Sequence, residues 1–408
     1  MKILMVGLDL NPPWTEGIRN TVKLTSQNLI KSGHEVYILT KGFNGQPVIE
    51  STEGMKYYTI PIGYSDSPLD GVFKFLTRLP VYLSRVVRRE KIDIVHGHSV
   101  YPILGLIIGM TSRIVGVKST FTLYSSPNNK KIVTGYPIFI NTCLKLSKAN
   151  FLTKALQTFL DSIIVISGYT YQDLLRIGIN KNKIKHVNVG IDTSAFKPLN
   201  ISSDRLNQIK TNLGIPGEKK VVFFAGDMAP WKGLDIFIKS ITELNKKRSD
   251  IVGLVAEKSM FECKQKRMSQ ISNLIKQNCA EKLIYFTGRH ARISELYGIS
   301  DVVVYPYLSF FSLMDTPLSL LEAMAMGKPI IATNIGGFSQ LIEHKKNGIL
   351  VEPNDSNELV NSILYMIENA EDAKRMGFEA SRLIEQKFKV DIMVDKIEKI
   401  YKELVEGN

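Results

Sequence analysis

Cysteine is scarce in this chain of 408 residues: Cys143, Cys263 and Cys279 are odd in number and have no metal-ligand spacing. Buried or idle thiols in a reducing compartment are the expectation, and with them a cytoplasmic location. Long apolar runs are missing as well. The longest, Val100 to Met110, is about half of what a bilayer span requires, which argues against a transmembrane helix. Met1-Lys2-Ile3-Leu4-Met5-Val6-Gly7 lacks the cationic start, long apolar core and cleavage site of a secretion signal, and reads as a buried strand. The loop after it, Gly7-Leu8-Asp9-Leu10-Asn11-Pro12-Pro13-Trp14, has no G-x-G-x-x-G, so a dinucleotide oxidoreductase is not expected. A Walker A sequence, paired zinc ligands and a G-x-S-x-G elbow are absent too. So is D-x-D, the usual carboxylate pair for a metal–diphosphate complex.

What is present is a globular composition, 44% hydrophobic and 22% charged, over a length that suits two domains of about 200 residues each. The formal charge of +13 is unevenly placed. Residues 1–196 hold 23 lysines and arginines against 12 carboxylates, whereas residues 197–408 hold 29 against 27. Such a basic half suits an anionic membrane surface, a phosphorylated substrate or nucleic acid. It has no nucleic-acid docking motif and no interleaved stacking aromatics, so nucleic acid is not an expected partner.

Short β-branched runs alternate with stretches of helical period, twice over. In the first half, strands are expected at Ile3–Val6, Val36–Leu39, Ile92–His96, Thr120–Leu123 and Ile163–Ile166, and a helix from Thr21 to Lys31 stops at Ser32-Gly33. In the second half, they fall at Val221–Ala225, Ile251–Val255, Leu283–Phe286, Val302–Tyr305, Pro329–Ala332 and Ile349–Val351. This alternation predicts two parallel, doubly wound α/β sheets whose ligand sites lie at the carboxyl ends of strands, facing a shared cleft. The polar Phe196-Lys197-Pro198-Leu199-Asn200 reads as the linker. The expected domains are therefore 1–196 and 197–385, with a C-terminal helix at 386–408 returning toward the first.

The densest chemistry lies in Asp315-Thr316-Pro317-Leu318-Ser319-Leu320-Leu321-Glu322-Ala323-Met324-Ala325-Met326-Gly327-Lys328-Pro329. Thr316 suits an N-cap and Pro317 the first helical position. Leu318 to Met326 is apolar nearly all round, hence a buried helix that Gly327 ends. Its start, following a strand, is an anion site by geometry and suits a phosphate. Glu322 needs a partner in these surroundings, and ribose hydroxyls, a nearby lysine or the backbone would each serve. In the loop Gly226-Asp227-Met228-Ala229-Pro230-Trp231-Lys232-Gly233, Lys232 is either a diphosphate ligand or a solvated lysine. From Leu69 to Lys91, Phe73, Leu76, Leu79, Leu83 and Val86 share one expected face, with Lys74, Arg78, Arg85, Arg88 and Arg89 interleaved. That pattern fits a surface-lying amphipathic helix or one packed on its domain.

With these motifs the chain resembles retaining glycosyltransferase family 4, the glycosyl transferases group 1, on the GT-B fold. The resemblance rests on Lys31-Ser32-Gly33-His34-Glu35-Val36, Asp93-Ile94-Val95-His96-Gly97-His98, Gly190-Ile191-Asp192 with Phe196-Lys197-Pro198, Lys232-Gly233, the Leu318–Pro329 segment and Gly336-Gly337. It implies transfer of a sugar from a nucleotide-diphosphate donor, with retained anomeric configuration and neither metal nor other cofactor. The donor would lie on the C-terminal domain and the acceptor on the N-terminal one. Carried over, Lys232 holds the diphosphate, Glu322 the ribose, and Gly17 lies near the diphosphate and sugar. Gly226, Thr316 and Leu318 complete the expected donor site. Four positions depart from the family's pattern. The first glutamate of its usual pair falls on Met314, next to Asp315; its diphosphate-binding arginine falls on Asp227; its strand-end histidine falls on Tyr124; and its first-loop glycine pair is Glu16-Gly17. Arg289 is the expected ion-pair partner of Asp227, and His98 a further residue near the cleft. The expected acceptor is a glycan or lipid-linked molecule, with peripheral contact to an anionic membrane. The alternative is a non-catalytic GT-B subunit that binds a nucleotide or glycan.

Overall fold

The computed structural model describes residues 1–408 except 12–15, 43–47, 63–67, 129–148, 198–201, 227, 257–263, 288–291, 310–313 and 408; for 48–52, 68–69 and 264–266 it describes the backbone alone. Cys143, Cys263, Asp227, Arg289 and part of the linker therefore lie outside the described residues.

The first half runs β1 (Lys2–Val6), α1 (Gly17–Lys31), β2 (Glu35–Gly42), β3 (Val48–Thr52), β4 (Met55–Pro61), α2 (Pro68–Glu90), β5 (Ile94–Ser99) and α3 (Pro102–Val115). It continues with β6 (Lys118–Leu123), α4 (Asn150–Phe159), β7 (Ser162–Val165), α5 (Gly168–Ile177) and β8 (Ile184–His186). These strands form one sheet in the order β3-β4-β2-β1-β5-β6-β7-β8, parallel except for the β3–β4 pair.

The second half runs α6 (Ser203–Asn212), β9 (Lys220–Phe224), α7 (Leu234–Lys247), β10 (Ile251–Val255), α8 (Lys264–Gln277), β11 (Ile284–Phe286), α9 (Ile293–Ile299) and β12 (Val302–Tyr305). After these come α10 (Leu318–Ala325), β13 (Ile330–Thr333), α11 (Phe338–Leu341), β14 (Ile349–Val351), α12 (Ser356–Glu368), α13 (Ala370–Lys387) and α14 (Val390–Glu406). Its sheet, β11-β10-β9-β12-β13-β14, is parallel throughout. The central strands are buried on both faces, which is why they read as unbroken apolar runs. Order reverses at β1/β5 in one sheet and at β9/β12 in the other, and such switch points open crevices at the strands' carboxyl ends.

Three local expectations need correction. The first helix starts at Gly17, four residues before Thr21. β3, β4 and β8 are additional strands; β3 pairs with β4 across a tight turn in which Glu53 and Gly54 both take positive φ. The helix from Pro68 to Glu90 buries Phe75, Leu79, Leu83, Val86 and Val87, while Phe73 is 67% exposed. Counting back from Leu79 in steps of four gives Phe75 and not Phe73, which points out about 200° away.

The last helix, α14, lies on the first half of the chain. Phe388 O accepts from Ile191 N–H at 2.9 Å, and Val390 N–H donates to Ile191 O at 3.0 Å. Beyond that hinge, Met393, Val394, Ile397, Ile400 and Tyr401 join Ile3, Met5, Val22, Val36 and Ile38 in one apolar cluster.

Candidate active site

On the second half, the site grows out of two strand ends. After β9 the chain passes Gly226 and makes one 3-10 turn, Pro230–Lys232, closed by Gly233 at φ 75°. A side chain cannot stand at 233, because a Cβ there would lie 1.8 Å from Pro306 O. This approach, with Leu308 N–H donating to Trp231 O at 2.7 Å, fastens the loop after β9 to the loop after β12. Lys232 Nζ consequently stands 5.5 Å from the centroid of the Tyr307 ring, over its face, in a cation–π contact. Its stem runs beside Gly226, where a Cβ would come within 3.2 Å of Lys232 Cδ.

The helix carrying Glu322 begins one residue later than its sequence suggests. Pro317, at ψ 131°, is the N-cap of α10, and the buried Thr316 makes no side-chain cap. Thr316 precedes a proline, a position that disfavours helical backbone, and with Pro317 extended the first helical residue is Leu318. Pro317 O accepts from the N–H groups of Leu320 and Leu321 at 3.1 and 3.4 Å. The N–H groups of Leu318 and Ser319 stay outside that ladder, at the positive end of the helix dipole. At the other end, Gly327 (φ 65°) donates to Met324 O and Lys328 N–H to Ala323 O, at 2.9 and 3.1 Å, a paired termination. Lys328 Nζ turns away to donate to Gly298 O and Ser300 O at 3.1 and 3.0 Å, closing α9; burial lowers its pKa to about 8.

Glu322 is buried on the first turns of α10, with Tyr297 Oη 3.5 Å from its Oε2. Tyr297 and Tyr305 both donate to Ser319 O, at 2.9 and 2.6 Å, and Tyr307 meets Tyr305 edge-on at 6.0 Å. Burial raises Tyr297 and Tyr305 well above the usual phenol range, so both are neutral donors. Lys232, Tyr307, Tyr305, Tyr297 and Glu322 thus form one chain of contacts. The sequence signal for this tyrosine platform is Tyr305-Pro306-Tyr307 at a strand end; Tyr297, a helix earlier, has none.

Met314 and Asp315 face the first half of the chain. A Cβ at Gly17 would lie 2.5 Å from Met314 Sδ, so the thioether rests on the first turn of α1. Asp315 is fully buried. Its Oδ1 accepts from Ser126 N–H at 3.3 Å, its Oδ2 from Ser167 Oγ at 3.0 Å and from Thr170 Oγ1, and its own N–H donates to Tyr124 O at 2.9 Å. The structure therefore brings Gly17 to Met314, and Gly226 to Lys232.

His98 and Tyr124 turn inward. Tyr124 Oη is 3.0 Å from His98 Nδ1, and His98 Nε2 is 3.3 Å from Met5 Sδ. Beside them, His96 links Tyr401 of α14 (2.5 Å) to Thr122 (2.7 Å), its ring 4.0 Å from that of His98. Desolvation holds His96 well below its ordinary pKa, takes His98 to about 3 and pushes Tyr124 up, so none is charged near neutrality. Both side chains are buried, and Tyr124 belongs to the same apolar cluster as Met314 and Leu318.

The description "Glycosyltransferase Family 4" matches residues 15–195, and "Glycosyl transferases group 1" matches 207–382. The chain is 24% identical to the alpha-monoglucosyldiacylglycerol synthase of Acholeplasma laidlawii, over 97% of this chain and 96% of that one. Among solved structures, sucrose-phosphate synthase of Thermosynechococcus elongatus superposes with a TM-score of 0.83 at 18% identity, over the whole of both chains. HepE of Anabaena in complex with UDP-glucose gives 0.75 at 18% identity, covering 98% of this chain and 99% of that one. Two doubly wound sheets with reversed strand order, facing a cleft floored by the loops after β9 and β12, are the GT-B fold, and the chain belongs to glycosyltransferase family 4.

Proposed function

We propose that this glycosyltransferase moves a hexose from a nucleotide-diphosphate donor, with retention, to a glycan or lipid-linked acceptor. The observation that carries this reading is the Lys232–tyrosine–Glu322 chain beside the start of α10. Lys232 and the amides of Leu318 and Ser319 suit a diphosphate, and Glu322, steadied by Tyr297, suits a ribose diol. In the reaction the acceptor hydroxyl oxygen bonds to the anomeric carbon on the face from which the bond to the diphosphate oxygen breaks, and the hydroxyl proton passes to the departing diphosphate. Lys232 and the helix amides stabilise the charge that develops on the diphosphate. Those fixed cationic and dipolar groups take the place of a metal, and the donor is the sole small molecule required. Two of the named relatives are synthases, which favours a catalyst over a non-catalytic subunit. A screen of nucleotide sugars by thermal shift and donor hydrolysis tests the reading. The expected result is stabilisation by one donor class and slow release of its sugar to water, unaltered by EDTA. Binding without hydrolysis or transfer would return the chain to the non-catalytic class.

The acceptor side is proposed to sit on an anionic membrane at the cytoplasmic face. Among the described residues no helix is long and apolar enough to cross a membrane. Three neighbouring helices of the first half, α2, α3 and α4, expose Phe73, Val81, Met110, Ile114 and Phe151. The same helices carry Lys74, Arg78, Arg85, Arg88, Arg89, Arg113 and Lys154 against Asp70 and Glu90. An apolar and cationic surface of this kind suits anionic headgroups over a lipid interface. Sedimentation with phosphatidylglycerol vesicles is expected at low salt and not with neutral vesicles, and to weaken as salt rises. Equal binding to both, or to neither, removes the membrane from the proposal.

A further inference from the structure

Asp315 offers both of its oxygens to the other half of the molecule. It follows β12 and immediately precedes Thr316-Pro317, the entry to α10, yet the donors that satisfy its carboxylate are Ser126, Ser167 and Thr170 of the first half. Ser167 is the N-cap of α5 and accepts from Thr170 N–H at 3.0 Å, so the carboxylate sits at the positive end of that helix. A second group reaches the same helix start: Gln340 Oε1, on α11, accepts from Tyr169 N–H at 2.5 Å. The peptide holding Asp315 is itself pinned, because a Cβ at Gly337 would lie 2.0 Å from Asp315 O. A buried carboxylate with hydrogen-bond donors on both oxygens favours one placement, because a small shift of one half against the other breaks those bonds before water can enter to replace them.

We propose that Asp315 is a positioning residue for sugar transfer: its clasp on the start of α5 sets the approach of the two halves and so places the donor-binding start of α10 against the acceptor half. The role rests on the donor site proposed above. Nothing in this role requires Asp315 to touch substrate. It acts through the backbone from Thr316 to Leu318, and its partners Ser167 and Thr170 stand on the half that does not hold the donor.

The test is Thr170→Val, a nearly isosteric change on the first half, with Ser167→Ala and Asp315→Asn beside it. Two measurements are made. Spin labels on Lys181→Cys and Lys239→Cys, exposed positions on opposite halves, report the distance between them by pulsed electron resonance in a background with the native cysteines replaced by serine. Calorimetric titration with UDP, the probe, reports the donor site. A single narrow distance is expected in the parent and a broadened, longer one in Thr170→Val. UDP affinity is expected to fall about tenfold although residue 170 lies on the other half, and Thr170→Val with Asp315→Asn is expected to do no more than either alone. An unchanged distance distribution overturns the clasp, whatever UDP does. A changed distance with unchanged UDP affinity overturns the positioning role and leaves a tether. If the parent binds no UDP, the donor reading fails for that nucleotide while the distance arm still decides the clasp.

Discussion

The two halves end their central strands in opposite ways. At β5 and β6 of the first half, the rings of His96, His98 and Tyr124 are buried: His98 is bonded to Tyr124, His96 to Tyr401, and the two imidazoles lie side by side. At β9 and β12 of the second half, Lys232 and Glu322 stand in the loop and helix beyond the strands, joined by Tyr307, Tyr305 and Tyr297. The difference teaches that a titratable cluster at a strand's carboxyl end is not a site by virtue of its position. What separates the two is access: every member of the first cluster is buried, whereas the second ends in Lys232, which is only half-buried.

The sharpest way to break this contrast is at Lys232. Lys232→Ala is expected to lower turnover by about 10²–10³ with an unchanged melting temperature, as removal of one fixed charge at a developing anion does. Near-normal kinetics would place Lys232 with the structural cluster. The inward cluster should answer in the opposite currency, stability. Between about pH 6.5 and 3 the unfolded chain binds a proton that buried His98 refuses, so unfolding free energy should fall as pH drops through that window. The slope approaches about 1.4 kcal/mol per pH unit per histidine. Denaturant midpoints at several pH values measure it, and a flat profile would mean that water reaches the rings. A smaller effect is expected from Tyr401→Phe, which removes the hydroxyl beside His96. About 1–2 kcal/mol of stability should go while donor affinity holds, and altered affinity would couple α14 to the cleft. Glu322→Gln should do the reverse, weakening donor binding several-fold with little change in melting. A large melting shift with unchanged affinity would make Glu322 structural.

Much of the architecture was legible because parallel strands buried on both faces are written as apolar runs, and because Gly33, Gly233 and Gly327 stop or turn the chain where they stand. β3, β4 and β8 were not: β3 and β8 are the two edges of the sheet, and β4 interrupts its buried residues with the exposed Lys56 and half-buried Tyr58, so none of them is written as an apolar run. Phe73 misled because a single aromatic two positions out of register looks like part of a helical stripe. Lys232 and Glu322 stand out in the sequence by their loop and helix, but the tyrosines that join them come from two separate stretches of chain, Tyr305-Pro306-Tyr307 and the helix that holds Tyr297. Asp315 was the least legible residue of all: its sequence neighbours describe a donor helix, while its hydrogen-bond partners lie about 145 to 190 positions earlier in the chain.

The path of α14 bears on how the molecule is made. Ile3, Met5 and His96 are translated early, yet their neighbours Met393, Val394, Ile397 and Tyr401 leave the ribosome only after the whole second sheet has emerged. During synthesis the first half therefore waits with an open apolar seam and with one nitrogen of His96 lacking its Tyr401 partner, and the last helix seals both at once. Chains interrupted before residue 390 should accordingly be bound by holdase chaperones and degraded, although every strand of both sheets has already been made.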